Sequence, residues 1–510
     1  MKAKALGFFL ALIAASSWAA NWGSSTSGDM ADGTNWVGGV APVLGGADPT
    51  ATFYNLQDVT LTLSADHALR SLNFNGGGPV TADFGSHTLS VGEGNYGMYI
   101  VGGNDSNKRS SSLTLVSGTI NVVTSRGLYI GNAGYHGSRL VIASPTATFT
   151  TKGVLVGQGS GRSFNGLIVT NGGKFSVIGN ALPIGNATGA ISSNNYVILS
   201  GPGSMIQVGA DALKIGHMAF SGNNWMTIDD HAVCITPSTI LGNSTNVNNN
   251  SLSISSGGIM TNTVSFHLGG QNNFSNVGSY NQVNVTNNGL LYVEQYMYIG
   301  TGPSTNNTLW VDSSRCVVKR DLYIGGTTNS FGNQAIISDG ATLETGWSLR
   351  LGNNGGDGGR LTLRNASATV GTACLVGNIG GSIIADNRLV FEGTNGTLSA
   401  QTDLSVKNGG GIHVVLPEEG RSTDAPFITG SGVVNFDEST RLLIDASALH
   451  RKLATPRTYV LLRNVNPINM MIDADNMILE PEGSVKVAQS ADGREIRFSV
   501  FPYGTMIILR

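Results

Sequence analysis

The sequence predicts an all-β solenoid, and three observations carry that expectation. A short motif, apolar–any–apolar–Gly, recurs on average about every 27 residues through the middle of the chain. Each repeat holds three strand-like runs in which apolar residues alternate, with no stretch of helical period between them. Gly and Asn number 71 and 47 of 510 residues, while charged residues make up only 12%. That is about twice the Gly and half the charge of an average soluble domain. Three short strands per repeat is the arithmetic of a right-handed parallel β-helix, since parallel crossovers are almost always right-handed. Alternate side chains point into the stack, and each coil pairs with the next at about 4.8 Å. No coil can bury its own apolar face, so the array holds together only through its neighbours. A β-propeller would need four strands and about 40 residues per blade, which this period does not allow.

The same composition excludes other classes. A hydrophobic fraction of 40% is enough for a core, so the low charge does not mean disorder. Beyond the amino terminus no apolar run reaches the ~18 residues of a membrane span, so no integral membrane segment is expected in the mature chain. A net charge of −3 gives no electrostatic reason to expect a nucleic-acid partner.

Residues 1–19 read as a signal peptide. Lys2 and Lys4 precede an apolar stretch from Ala5 to Ala15, and Ser17-Trp18-Ala19 offers small residues for cleavage. The mature protein is therefore expected to be secreted or to sit at the cell surface. Residues 20–97 read as an amino-terminal capping segment with the first coils. Residues 98–390 hold the repeats. The motif opens loosely at Tyr99-Ile100-Val101-Gly102 and then appears as Leu128-Tyr129-Ile130-Gly131, Val154-Leu155-Val156-Gly157 and Leu182-Pro183-Ile184-Gly185. It continues through Leu213-Lys214-Ile215-Gly216 and Met297-Tyr298-Ile299-Gly300 to Cys374-Leu375-Val376-Gly377. After each Gly comes a polar loop, often with Asn-Asn, then a second strand such as Trp225-Met226-Thr227-Ile228. A turn rich in Asn, Asp, Ser and Gly follows, then a third strand such as Lys174-Phe175-Ser176-Val177. Residues 391–510 read as a β-rich closing region, because 27 of the 61 charged residues fall in 381–510. Asp492-Gly493 marks a hairpin there, and residues 505–510 read as a last strand.

The tandem Ile-Gly-Asn and Asn-Gly-Gly units resemble bacterial autotransporter-associated β-strand repeats, and more broadly adhesin-like secreted β-helix proteins. Asn35-Trp36-Val37-Gly38-Gly39 and Leu69-Arg70-Ser71-Leu72-Asn73-Phe74 look like the opening of such chains. The resemblance covers roughly residues 21–400, and no carboxyl-terminal membrane barrel accompanies it. It implies a structural or adhesive protein, with an extracellular polysaccharide or cell-surface glycan as the partner class.

A β-helix can also carry polysaccharide lyase or glycoside hydrolase chemistry, which needs carboxylates with Lys or Arg facing outward from adjacent coils. The outward position of the motif strand reads Tyr129, Leu155, Pro183, Lys214, Ile240, His267, Tyr298, Tyr323, Arg350 and Leu375, with no carboxylate. The best-aligned acids by count are Asp312 and Asp339, with Asp229 three coils before Asp312, and all three read as turn residues. His217, His231 and His267 fall at different offsets. Gly355-Gly356-Asp357-Gly358-Gly359 occurs once and reads as a loop. No catalytic residue, metal site or cofactor is assigned. The ligand-binding candidates are Tyr129, Tyr298 and Tyr323, outward aromatics on a rigid rod that could meet sugar rings. Cys234 and Cys316 fall on like strands about three coils, or 14 Å, apart, beyond disulfide reach. Cys374 lies on the motif strand, so three buried free thiols are expected.

Overall fold

The computed structural model describes residues 20–503, except 24–26, 45–49, 55–57, 76–77, 93–96, 102–109, 125–126, 133–135, 159–161, 187–190, 245, 272–277, 327–329, 354 and 380–385. The signal-like segment at 1–19 and the strand read at 505–510 lie outside the described residues. The chain is a parallel β-solenoid of about 13 turns, roughly 28 residues per turn.

Three parallel ladders run along it. The motif sheet begins at Ala20–Asn21 and Thr50–Tyr54, passes through Leu128–Asn132 and Tyr296–Ile299, and reaches Ile468–Met470. The second sheet runs from Gly28–Asp29 through Thr308–Asp312 to Met477–Glu480. The third starts at His67–Leu69, includes Lys174–Val177 and Arg315–Val318, and ends by pairing Ile428–Gly430 with Arg457–Asn464. The rise in charge near residue 390 does not interrupt the ladder. Arg360 pairs with Arg388, Arg388 with Gly411, and Gly411 with Arg441, in unbroken register. Only beyond residue 480 does the pattern change. Val485–Gln489 and Glu495–Val500 form an antiparallel hairpin, and the second of these strands also pairs antiparallel with Arg457–Asn464. That hairpin covers an end that would otherwise offer free strand edges. At the opposite end Trp22 and Trp36 meet edge to face at 5.0 Å and pack on Phe53.

The core is the set of inward alternate positions. Ile130, Val156, Ile184, Ile215, Leu241, Leu268, Ile299 and Ile324 form one register-matched column and are 0% exposed. β-branched and γ-branched side chains suit this flat, two-neighbour environment. Cys234 and Cys316 share an inner column of the third sheet with Met260 and Leu291 between them, and Cys374 lies under the motif sheet. All three are free and buried, and burial pushes each thiol up to about 12.

The corner between the motif and second sheets explains the Gly and Asn content. Asn165, Asn195, Asn224, Asn250, Asn281, Asn307 and Asn333 stack as a ladder of wholly buried amides. Asn195 Oδ1 accepts from both the backbone N–H and the side-chain amide of Asn165, at 3.2 and 3.0 Å, and the pattern repeats to Asn333. The motif Gly makes room for it. A Cβ on Gly131 would fall on the Asn165 side chain, and one on Gly242 would fall on Asn281. Both glycines also have φ of +73°, a region that costs an L-residue strain. The Asn-Asn pairs divide the work: Asn194, Asn223, Asn249 and Asn306 take left-handed backbone at φ of 55–58°, and the following Asn turns inward.

Candidate functional site

The outward column of the motif sheet is in register as the sequence implied, with Tyr99 beside Tyr129, His267 beside Tyr298, Tyr298 beside Tyr323 and Tyr323 beside Arg350. Side chains held about 4.8 Å apart by the backbone ladder stack face to face. His267 and Tyr298 have ring centroids 4.8 Å apart, Tyr298 and Tyr323 4.9 Å, and the Arg350 guanidinium lies 5.3 Å from the Tyr323 centroid. The flat faces of Tyr298 and Tyr323 are therefore covered by neighbours along the rod. Their edges and hydroxyls are what the column presents outward.

A second column beside it completes a band. Arg320 sits between the rings of Tyr296, at 5.6 Å, and Trp347, at 4.8 Å, and donates to the Tyr296 hydroxyl at 3.1 Å. The backbone links that column: Arg320 N–H donates to Gln295 O, and Trp347 N–H to Arg320 O. Trp347 is 48% exposed, the most open ring of the band. Asp321 lies buried beneath, accepting from Ser348 N–H at 2.9 Å and from the Tyr323 hydroxyl at 3.4 Å. Tyr296, Arg320 and Trp347 were missed in the sequence. Part of the signal was there: counting two residues back from the first apolar position of the motif puts Gln295, Arg320 and Trp347 in one column, while Tyr296 falls one position later.

The band combines neutral phenol donors with two guanidinium charges. Burial first, then the neighbouring Tyr323, pushes the Tyr298 phenol up to about 12. Burial and Asp321 raise Tyr323 as well. Both hydroxyls stay protonated across physiological pH. Burial lowers His267 to about 4, so it is an uncharged ring in the stack, with Nε2 3.0 Å from Ser265 Oγ. The Arg320 and Arg350 charges lie on aromatic faces, a favourable cation–π placement.

Tyr129 is not part of this band. It stacks on Tyr99 at 4.8 Å and lies six coils from Tyr298, about 29 Å along the rod. The three tyrosines share one column but not one site.

The acidic candidates separate in the structure. Asp312 pairs with Ser338, not with Asp339, because strand pairing fixes the register while the loop after each motif Gly varies in length. Asp339 falls one position later, in a corner column with Asn171, Asp230, Ser256, Asn287, Ser313 and Asn365, all at φ of 49–52°. Asp312 accepts from Ser338 Oγ at 3.2 Å and Asp229 from Ser255 Oγ at 3.0 Å. Burial opposes ionisation of Asp229, but hydrogen bonds from Ser256, Ser255 and the Asp230 N–H outweigh it and lower its pKa. All three acids act as turn residues. Among the described residues no group of three His, Cys, Asp or Glu side chains is placed to hold a metal ion, and no helix is long and apolar enough to cross a membrane. The chain matches no protein-family model, no curated protein and no solved structure.

Proposed function

We propose that this chain is an exported, non-catalytic scaffold that contacts extracellular or cell-surface glycans along its motif sheet. The observation that carries the reading is the aromatic–arginine band. A rigid sheet there presents hydroxyl, guanidinium and indole groups at fixed spacing, with Trp347 open to solvent. Glycan recognition needs such groups: an open ring edge or face for sugar C–H bonds, and fixed donors for hydroxyls. A preformed surface also orders few side chains on binding, which lowers the entropic cost. Export is supported by the signal-like segment at residues 1–19 and by the resemblance of the repeats to autotransporter-associated and adhesin-like chains.

The test is incubation of the mature chain with plant, algal and host polysaccharides, following both co-sedimentation and release of reducing or unsaturated ends. The expected result is binding without release, reduced at least tenfold by Trp347→Ala. Release of ends would favour the lyase or hydrolase reading instead.

A further inference from the structure

The outward column of the motif sheet is not level. It falls from the ring of Tyr129 to Leu155 and Pro183, then rises to Lys214. The adjacent outward positions Gly153 and Ala181 carry almost no side chain. A hollow of about 310 Å³ results, spanning four coils, or about 14 Å. We propose that this hollow is a seat for neutral sugar units of a glycan chain, an inference that rests on the glycan-contact reading and names where the chain docks and what charge it carries.

The lining supplies both halves of sugar recognition. Leu155 and Pro183 form an apolar floor and the Tyr129 ring a wall, together suited to the C–H face of a pyranose. Asp211, Lys214 and His217 form a polar rim on one side. Adjacent sugar hydroxyls each donate and accept, and a carboxylate beside an ammonium group answers both. Asn243 Nδ2 donates to His217 Nδ1 at 3.1 Å, which leaves the ring proton on Nε2 as a further donor.

The rim also sets the ligand's charge. Lys214 Nζ lies 3.4 Å from Asp211 Oδ2, so the two charges offset each other. Burial, reinforced by Lys214, lowers His217 to about 4, so the imidazole is uncharged at neutral pH. With no net charge to offer, the hollow fits a neutral hexose better than a uronate or a sulfated sugar. Its volume is at the low end for ligand pockets, enough for one or two sugar units. The hollow and the band share one face, with Pro183 and Tyr298 about 19 Å apart along the rod. One extended polymer can reach both, and a short oligosaccharide only one.

This difference in length makes the test specific. The full mature chain is titrated by calorimetry with neutral di- to hexasaccharides of β-glucan, β-mannan and α-glucan type, and with the matching polymers. Asp211→Asn removes the rim carboxylate with little change in shape, and Ala181→Trp fills the hollow. Trp347→Ala is the comparison in the band. The expected result is that at least one neutral oligosaccharide series binds, and that each hollow variant weakens it tenfold or more and by more than Trp347→Ala does. Each variant should keep its three thiols unreactive in the native state, which reports an intact stack. Polymer binding with no oligosaccharide binding, or oligosaccharide binding lost with Trp347→Ala and kept in Ala181→Trp, overturns the hollow while the glycan-contact reading survives. No binding to any polymer overturns both.

Discussion

His267 shows how a single side chain couples the outward column to folding. It is 8% exposed, stacked on Tyr298, and Nδ1 has no hydrogen-bond partner. Burial holds it near 4 in the folded chain against 6.5 unfolded. The unfolded state therefore binds more protons between these values, so stability is intact above about pH 6.5 and falls as pH drops toward 4. A shift of this size corresponds to an order of 3 kcal/mol. His217 shifts in the same direction, from burial and from Lys214. Urea denaturation at pH 7.5, 6, 5 and 4 should show a falling midpoint. His267→Phe, which keeps the ring stack and removes the titration, should flatten part of that slope; an unchanged slope would contradict this assignment. The cysteines make a second prediction at this scale. Cys234, Cys316 and Cys374 are buried and free, with thiols near 12. A thiol reagent should find none in the native protein and three after denaturation without reductant; a count of one would mean a disulfide. These positions were legible in the sequence, because alternation along a strand and the repeat length together place an inward residue.

At the scale of the element, the corner between motif and second sheets was only half legible. The motif Gly and the Asn-Asn loops are visible in the sequence, but a polar loop reads as solvent-exposed. What turns Asn224 or Asn281 inward is a partner amide in the next coil, 26–31 residues away in most links of the ladder, with loop lengths that vary between coils. Counting from the Gly does not fix that register, which is also why Asp312 and Asp339 looked aligned. The ladder makes a specific prediction. Asn281→Ala leaves the Asn250 N–H and side-chain amide without their acceptor, and should cost about 2–4 kcal/mol. Gly242→Ala should destabilise by pressing a methyl group on Asn281 at an unfavourable φ. Since part of that cost is the clash, the double variant should lose less stability than the two single losses added. Strict additivity in denaturant titrations would show that Gly242 and Asn281 do not share the corner as described.

For the whole molecule, stability is close to a sum of coils and their interfaces, so the ends matter most. The composition change near residue 390 suggested a boundary, and the parallel ladder runs through it in register, with much of the added charge on outward positions. Pairs such as Arg364 with Glu392, 2.7 Å apart, bridge successive coils of the same ladder. The real change of construction is the antiparallel hairpin after residue 480. A chain ending at residue 480 should expose the edge of Arg457–Asn464 and self-associate, seen by light scattering, while the full chain does not. The overall architecture was legible from the repeat period alone. The surface band was legible only in part: His267, Tyr298, Tyr323 and Arg350 follow from the motif, whereas Tyr296, Arg320 and Trp347 meet through the stacking of coils. The most direct measurement is binding of the chain from residue 20 onward, and of its Tyr298→Ala/Trp347→Ala variant, to one insoluble neutral polysaccharide, at low and high salt, with end release followed in the same tubes. Wild-type binding should change little with salt, the variant should lose at least tenfold, and no ends should be released. Equal binding by the two proteins, or release of sugar ends by the wild type, would contradict the glycan-contact reading.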